Sequence, residues 1–230
     1  MPNVDIIIVN WNSGKQLYSC LQSIEIVKID NLTLGKVIIV DNASVDGSAD
    51  NLQGLNLPLH IIRNKVNKGF AAACNQGAAI SRADYLLFLN PDMRLFENSL
   101  SIPIAFMERS ENQHIGIVGI QLVDGSGCVS RTCARFPTVK QFFAKMLGLD
   151  RLFPHVFHSY FMVEWDHKDS RQVDHVIGAF FLVRRNLFEM LGGFDARFFV
   201  YFEDLDFSLR ARQLGYSSFY LAEAQAYHKG

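Results

Sequence analysis

The sequence predicts an α/β domain with a mostly parallel sheet, and three observations carry that expectation. Short runs of β-branched residues alternate with helix-patterned stretches through the first half, as right-handed βαβ crossovers require. The first of these runs is continuously apolar, as in a strand covered on both faces. The chain has 230 residues, 49% hydrophobic and 20% charged, which places it among folded proteins that bury roughly 70–75% of their unfolded surface. A core of that size needs no disulfide or structural metal, and the composition excludes a disordered tail or a collagen-like fibre.

Asp5-Ile6-Ile7-Ile8-Val9 is the first buried strand. Ser13 is placed to cap a helix that carries Leu17, Leu21 and Ile24 at helical spacing. Lys36-Val37-Ile38-Ile39-Val40 is a second strand, Leu59 to Arg63 a third and Tyr85-Leu86-Leu87-Phe88-Leu89 a fourth. Between the last two, the alanine-rich stretch Gly69 to Ile80 reads as a helix packed closely on the sheet. After about Leu122 the pattern changes. Asp124-Gly125-Ser126-Gly127 is a turn, a strand is expected from His175 to Val183, and Gly192-Gly193 breaks the chain. Glu203 to Leu214 reads as a short helix. The expected organisation is one domain over 1–230, with a nucleotide-type half at 1–122 and a substrate-type half at 123–230.

Lys plus Arg number 22 against 23 Asp plus Glu, a net charge of −1, so the chain lacks the basic field of a nucleic-acid binder. Cys20, Cys74, Cys128 and Cys133 form no C-x-x-C pair and read as buried free thiols in a reducing compartment. The start has no basic n-region and no stretch approaches the roughly 20 apolar residues of a membrane span. A cytoplasmic location is expected. Phenylalanine is over-used, with 19 copies concentrated in the second half.

In open parallel sheets, ligands bind beyond the carboxyl ends of the strands. Strand one ends in Asn10-Trp11-Asn12, strand two in Asp41-Asn42-Ala43-Ser44 followed by Asp46-Gly47-Ser48, and strand four in Asn90-Pro91-Asp92. An Asx-turn or helix cap explains any one of these, but not all three together. The stretch after strand one is not G-x-G-x-x-G, which excludes a dinucleotide fingerprint, and no G-x-x-x-x-G-K-[ST] exists. Phosphate must be held another way. A Mg²⁺ or Mn²⁺ ion on Asp92 meets that need, since such ions use one or two carboxylates plus phosphate oxygens and water.

The series Asn10-Trp11-Asn12, Val40-Asp41-Asn42-Ala43-Ser44-Val45-Asp46-Gly47-Ser48, Asn67-Lys68-Gly69-Phe70-Ala71 with Asn75 and Gly77, and Asn90-Pro91-Asp92 resembles the motifs of family 2 glycosyltransferases. Gly192-Gly193-Phe194-Asp195, then Phe202-Glu203-Asp204-Leu205-Asp206 and Arg210, resembles the acceptor-side signature of that family, closest to its rhamnosyltransferase-like branch. The resemblance implies a GT-A fold, with a Rossmann-like nucleotide-binding half fused to an acceptor-binding half. It also implies inverting transfer from a nucleoside-diphosphate sugar and a divalent metal. By position, Asp41 would hydrogen-bond the donor base, within a nucleotide-binding set of Asn10, Asn12, Asp41, Asn67, Gly69 and Asn90. Asp92 is the last acid of a D-x-D-type metal motif whose first acid is Asn90 here, a departure that leaves one carboxylate. His228 falls where relatives place a histidine near the metal or pyrophosphate, and Asp204 falls at the catalytic base.

Glu203, Asp204 and Asp206 crowd three acids into a helix start; mutual repulsion raises the proton affinity of such a set and the helix N-terminus lowers it. The plain alternative is an acidic first turn. Phe198, Phe199, Tyr201 and Phe202 are expected to wall this site from water. Gly178, Ala179 and Glu203 are the expected acceptor contacts, with Phe180 and Phe181 continuing the lining or simply packing the strand. Asp195 is expected to order the same loop. Arg63, Asn67 and Lys68 are placed to touch ribose or phosphates, and His155 and His158 read as packing or loop residues. Trp11 and Trp165 suit stacking on a ring or, for each the preferred reading, burial in the core. Segment 131–162 is basic and aromatic. It reads first as a flap over the donor and second as a peripheral contact with the inner face of the membrane.

The function expected is transfer of a sugar, L-rhamnose from dTDP-rhamnose, to a hydroxyl of a glycan or lipid-linked glycan in cell-envelope polysaccharide synthesis. Two alternatives are a sugar-1-phosphate nucleotidyltransferase, which lacks its Gly-rich, Arg-containing loop here, and a non-catalytic glycan-binding module.

Overall fold

A computed structural model of the chain describes residues 1–50, 52–139, 146, 148, 160 and 162–229. The expected His155, His158 and most of the basic-aromatic segment, Lys140, Lys145 and Arg151 included, lie outside the described residues.

The elements run β1 (Asn3–Asn10), α1 (Lys15–Glu25), β2 (Thr33–Asp41), β3 (Leu59–Arg63), α2 (Phe70–Ala79), β4 (Tyr85–Leu89), β5 (Met93–Leu95) and α3 (Ser101–Glu108). They continue with β6 (Ile115–Val123), β7 (Cys133–Ala134), β8 (Arg171–Val173), β9 (His175–Val176), β10 (Phe180–Arg184), α4 (Arg185–Met190), α5 (Glu203–Gln213) and β11 (Ser217–His228). A nine-stranded sheet has the order β3-β2-β1-β4-β10-β6-β11-β5, with β8 on β11, while β7 and β9 form a separate pair. β3, β2, β1 and β4 are parallel neighbours. β4 and β6 are each antiparallel to β10, so they point the same way, and β11 is parallel to β6. The carboxyl ends of β1, β2, β4, β6 and β11 therefore share one edge with the amino end of β10. That is where the polar strand ends meet.

The sheet has a core on each face. In β1, Ile6 and Ile8 enter one cluster with Leu17, Leu21 and Ile24 of α1, while Ile7 and Val9 enter the other with Ala71, Ala73 and Cys74 of α2. Period-two alternation divides one apolar strand between two buried faces. α2 lies close because its contact residues are small: a Cβ at Gly77 would fall 2.6 Å from Ile7 Cγ2. Five of the 19 phenylalanines meet here. Phe88, Phe181, Phe188, Phe194 and Phe207 pack with ring centroids from 4.8 to 6.5 Å apart, and pack β4 and β10 against α4, α5 and the turn between them.

Several expectations are corrected. Ser13 does not cap α1; Gly14 occupies that position, and its N–H donates to Asp46 Oδ2 at 2.8 Å. The strand expected over His175 to Val183 is two strands, β9 and β10, in different sheets. The ladder breaks between them because the Gly178 N–H is spent on a side chain, Asp204. Phe180 and Phe181 belong to the two cores. Cys20, Cys74 and Cys133 are buried thiols, but Cys128 is exposed.

Candidate active site

On the donor side, Asn10 at the end of β1 is fully buried. Its Nδ2 faces Asp41 Oδ1 at 2.9 Å, Ser44 Oγ at 3.0 Å and Ser48 Oγ at 2.8 Å, while its Oδ1 has no partner among the described residues. Asn12 adopts a left-handed backbone, φ 52°. Its N–H donates to Ser44 Oγ at 3.0 Å, and its Oδ1 accepts from the Val45 N–H at 2.8 Å. Asp46 accepts from Ser48 as well as Gly14, and the Ser48 hydroxyl is the first cause that holds its carboxyl below the usual range. Arg63 Nη1 lies 3.7 Å from Asp41 Oδ2 and Nη2 2.9 Å from Asp50. Asp41 is thereby fixed from both sides. Trp11, expected in the core, is 59% exposed at this rim, whereas Trp165 is buried.

Asn42, which the sequence places beside Asp41 without a role, ties the donor loops together. Its Nδ2 donates to Asn67 Oδ1 at 2.7 Å and to the Gly69 carbonyl at 3.2 Å, and its Oδ1 accepts from Asn64 Nδ2 and the Lys68 N–H. Asn67 Oδ1 also accepts from the Gly69 N–H at 2.9 Å. Gly69, at φ +84°, is pressed on Phe199: a Cβ there would sit 2.6 Å from the Phe199 carbonyl oxygen. The Phe70 N–H donates to that same oxygen at 2.6 Å.

The two expected metal ligands come together. β11 pairs antiparallel with β5, His228 opposite Met93, and this register sets His228 Nε2 3.5 Å from Asp92 Oδ2. Among the described residues no cluster of three or more His, Cys, Asp or Glu could hold a metal. One carboxylate and one imidazole nevertheless suit Mg²⁺ or Mn²⁺ when phosphate oxygens and water complete the shell. Asn90 shapes this loop with its backbone, since its carbonyl accepts from the Met93 N–H at 3.2 Å and its N–H donates to the Ala179 carbonyl at 3.0 Å.

Across the edge, Asp204 sits in the first turn of α5. Its Oδ2 accepts from the Gly178 N–H at 2.7 Å and its Oδ1 from the Leu205 N–H at 2.7 Å. A side chain at Gly178 would point at the Asp204 carboxylate, 3.5 Å from Oδ2. Gly178 and Ala179 thus form a two-residue strip joining Asp204 to the Asn90 loop. Glu203 turns inward. It is 5% exposed, its Oε2 has no partner among the described residues, and burial, then the Asp204 charge, raises its carboxyl to about 7. His175, which sequence reasoning passed over, is buried near this strip, its Nε2 3.2 Å from the Tyr160 hydroxyl. Burial, then the Asp204 charge, raises that phenol.

Asp195 orders the loop before α5. Its Oδ1 accepts from the Arg197 N–H at 2.9 Å and its carbonyl from the Phe198 N–H at 3.1 Å, and bonding to Arg197 lowers its carboxyl to about 2. The expected aromatic wall is not closed: Phe199, Tyr201 and Phe202 are 57%, 74% and 58% exposed. The loop is anchored behind them instead. Asn75 pairs with both backbone groups of Phe194, at 2.7 and 2.9 Å, and Arg210 donates to the Leu191 and Gly193 carbonyls at 2.9 and 3.0 Å. Lys68 is exposed. No helix among the described residues is long and apolar enough to cross a membrane.

The chain is 24% identical over 236 residues to the N-acetylglucosaminyl-diphospho-decaprenol L-rhamnosyltransferase of Mycobacterium tuberculosis, covering 97% of this chain and 75% of that protein. It is 29% identical over 146 residues to the rhamnosyltransferase WbbL of Escherichia coli, covering 63% of this chain and 52% of the relative. Among solved structures, a mannosyltransferase from Pyrobaculum calidifontis in complex with GDP-Man and Mn²⁺ superposes with a TM-score of 0.67 at 18% identity, over 99% of this chain and 56% of that one. The shared architecture is the GT-A fold. The model of "Glycosyl transferase family 2" matches residues 5–192, and on that match the chain belongs to family 2 of the glycosyltransferases.

Proposed function

We propose that this glycosyltransferase works by inversion with a divalent metal, and moves L-rhamnose from dTDP-rhamnose to a hydroxyl of a lipid-linked glycan in cell-envelope synthesis. The names of the rhamnosyltransferase relatives support the sugar and the acceptor class. The observation that carries the chemistry is the meeting of Asp92, His228 and Asp204 along one sheet edge, with the Gly178–Ala179 strip between them.

Asp41, already immobilised by Asn10 and Arg63, accepts a hydrogen bond from the donor base. Asn10, Asn12, Asn67, Gly69 and Asn90 border the rest of the nucleotide. Asp92 and His228 are the residues to hold Mg²⁺ or Mn²⁺, which when bound supplies Lewis-acid neutralisation of the departing diphosphate. The acceptor hydroxyl attacks the anomeric carbon opposite the diphosphate. Its oxygen bonds to carbon as the bond to phosphate oxygen breaks, and its proton passes to the Asp204 carboxylate. Two backbone N–H groups orient that carboxylate before substrate arrives, so little reorganisation is needed at reaction.

The test is a thermal-shift panel of dTDP, UDP, GDP and CDP, each with and without Mn²⁺, followed by transfer assays. A diphosphate at 100 times its dissociation constant adds roughly 2.7 kcal/mol. A shift selective for dTDP that needs the metal supports the reading, and none for any diphosphate with metal present overturns it. Asp204→Asn is expected to cut transfer by about 10²–10⁴ with nucleotide affinity preserved; unchanged turnover removes Asp204 from the base role.

A further inference from the structure

Asn75 and Gly77 belong to the motif series in the first half of the chain, and the donor chemistry leaves both without a task. We infer that Asn75 is a positioning residue for Asp204: helix α2 is a strut that fixes the distance from the donor floor to the base. The inference rests on the reading of Asp204 as that base.

One end of the strut is set on the donor floor. A Cβ at Gly77 would fall 2.6 Å from Ile7 Cγ2 and 3.4 Å from Val40 Cγ2, so the missing side chain lets α2 settle on β1 and β2. Those two strands end in Asn10 and Asp41. Asn42, the next residue, donates to the carbonyl of Gly69, from which α2 starts.

The other end holds α5. Asn75 Nδ2 donates to the Phe194 carbonyl at 2.7 Å and its Oδ1 accepts from the Phe194 N–H at 2.9 Å. A side chain that engages both backbone groups of one residue imitates a rung of a β-ladder, and fixes orientation as well as place. Gly193 beside it is at φ +82°, and a Cβ there would meet Asn75 Oδ1 at 2.6 Å, so the turn is shaped around this side chain. Arg210 of α5 donates to the Leu191 and Gly193 carbonyls of the same turn and is held by Asp206 at 2.7 Å. The second fixing is the Phe70 N–H on the Phe199 carbonyl. Asp204 lies between the two, with Arg210 about 9 Å further along the helix at about 1.5 Å rise per residue. Among the described residues Phe202, at the cap of α5, makes no side-chain capping bond. The start of α5 therefore takes its place from α2. A base misplaced by about 1 Å loses about 10²-fold in rate.

Asn75→Ala tests the strut. The Gly178 N–H, which donates to Asp204 Oδ2, reports where the base stands without any donor, and it lies outside the turn that Asn75 holds. Its amide exchange is expected to quicken about tenfold relative to the core amide of Ile7, as loss of a bond to a carboxylate requires. A role confined to the turn leaves that ratio unchanged. With Mn²⁺, the variant should bind dTDP within about twofold of wild type and release dTDP from dTDP-rhamnose about 10–10²-fold more slowly. Combined with Asp204→Asn it should cost nothing further, because the two residues act through one carboxylate. An unchanged Gly178-to-Ile7 ratio, turnover equal to wild type, or an equal loss in both backgrounds overturns the inference. Asn75→Asp keeps the bond from the Phe194 N–H and should move both readouts the same way by less; it decides where the alanine variant does not fold, and wild-type behaviour in it also overturns the inference. The readings beneath fail separately. A wild type that releases no dTDP sinks the donor reading and leaves the exchange ratio to decide, and an Asp204→Asn variant as fast as wild type sinks the base.

Discussion

Glu203→Gln isolates a buried proton. The Glu203 side chain lies under Asp204 with Oε2 unpartnered among the described residues, and burial together with the Asp204 charge moves its carboxyl from 4.5 to about 7. Between those values the folded chain keeps a proton that the unfolded chain has released, so wild-type stability falls as pH rises across this window. A displacement of that size amounts to about 3 kcal/mol, fully lost above about pH 7. Gln has nearly the same shape and cannot ionise, so it escapes the loss. Its amide also lacks a partner, which costs about 1–3 kcal/mol at every pH. The informative quantity is therefore how the stability difference between the two proteins changes with pH. Denaturant titrations from about pH 4.5 to about pH 8.5 should show the variant gaining about 3 kcal/mol on wild type, or about 6–12 °C in melting temperature for a chain of this size. A difference flat to within about 0.5 kcal/mol would refute a neutral Glu203, because titrating groups remote from it cancel between the two proteins and only neighbours such as Asp204 and Cys74 feel the change of charge.

Asp92→Ala and His228→Ala should each weaken Mn²⁺-dependent nucleotide binding by at least about tenfold while sparing the metal-independent part; calorimetry with and without Mn²⁺ checks this, and an unchanged metal dependence would remove that residue from the pair. Gly69→Ala should cost at least about 2 kcal/mol, since it adds a left-handed penalty to a Cβ placed 2.6 Å from the Phe199 carbonyl oxygen; an unshifted melt would mean that the loop yields freely. Asn75→Ala removes both hydrogen bonds to Phe194 and should cost about 2–3 kcal/mol; a loss under about 0.5 kcal/mol in denaturant titration would mean that the turn after Gly193 holds itself.

Strands β1, β2 and β4 were legible because each holds a continuous apolar run, as a strand covered on both faces does, whereas the edge strand β3, Leu59-His60-Ile61-Ile62-Arg63, is partly exposed. β6 escaped because Gly116 and Gly119 interrupt it, glycines kept where a Cβ would lie 2.3 Å from Leu187 and 2.7 Å from Val176. β11 escaped because its alternating Ala, Glu and Gln also suit a helix. Strand-end residues such as Asn10 and Asp41 could be found by the rule that ligands gather at carboxyl ends. The approach of His228 to Asp92 was expected from the family resemblance alone, because the residues themselves do not reveal the β5–β11 register on which it depends. The inward turn of Glu203 was hidden for a similar reason. Neighbouring acids in a helix start look alike until packing decides which one faces water.

The strand order has a consequence for synthesis. β10 lies between β4 and β6, and β11 between β6 and β5, so the middle of the sheet waits for residues of the second half. While a ribosome is still making that half, β4 and β6 present unpaired, almost wholly apolar edges, the kind that pair with other chains. Segment 1–122 is thus a poor candidate for a transplantable nucleotide-binding module. Its central strands gain their partners only when Phe180–Arg184 has emerged, and the Asp92–His228 pair forms later still.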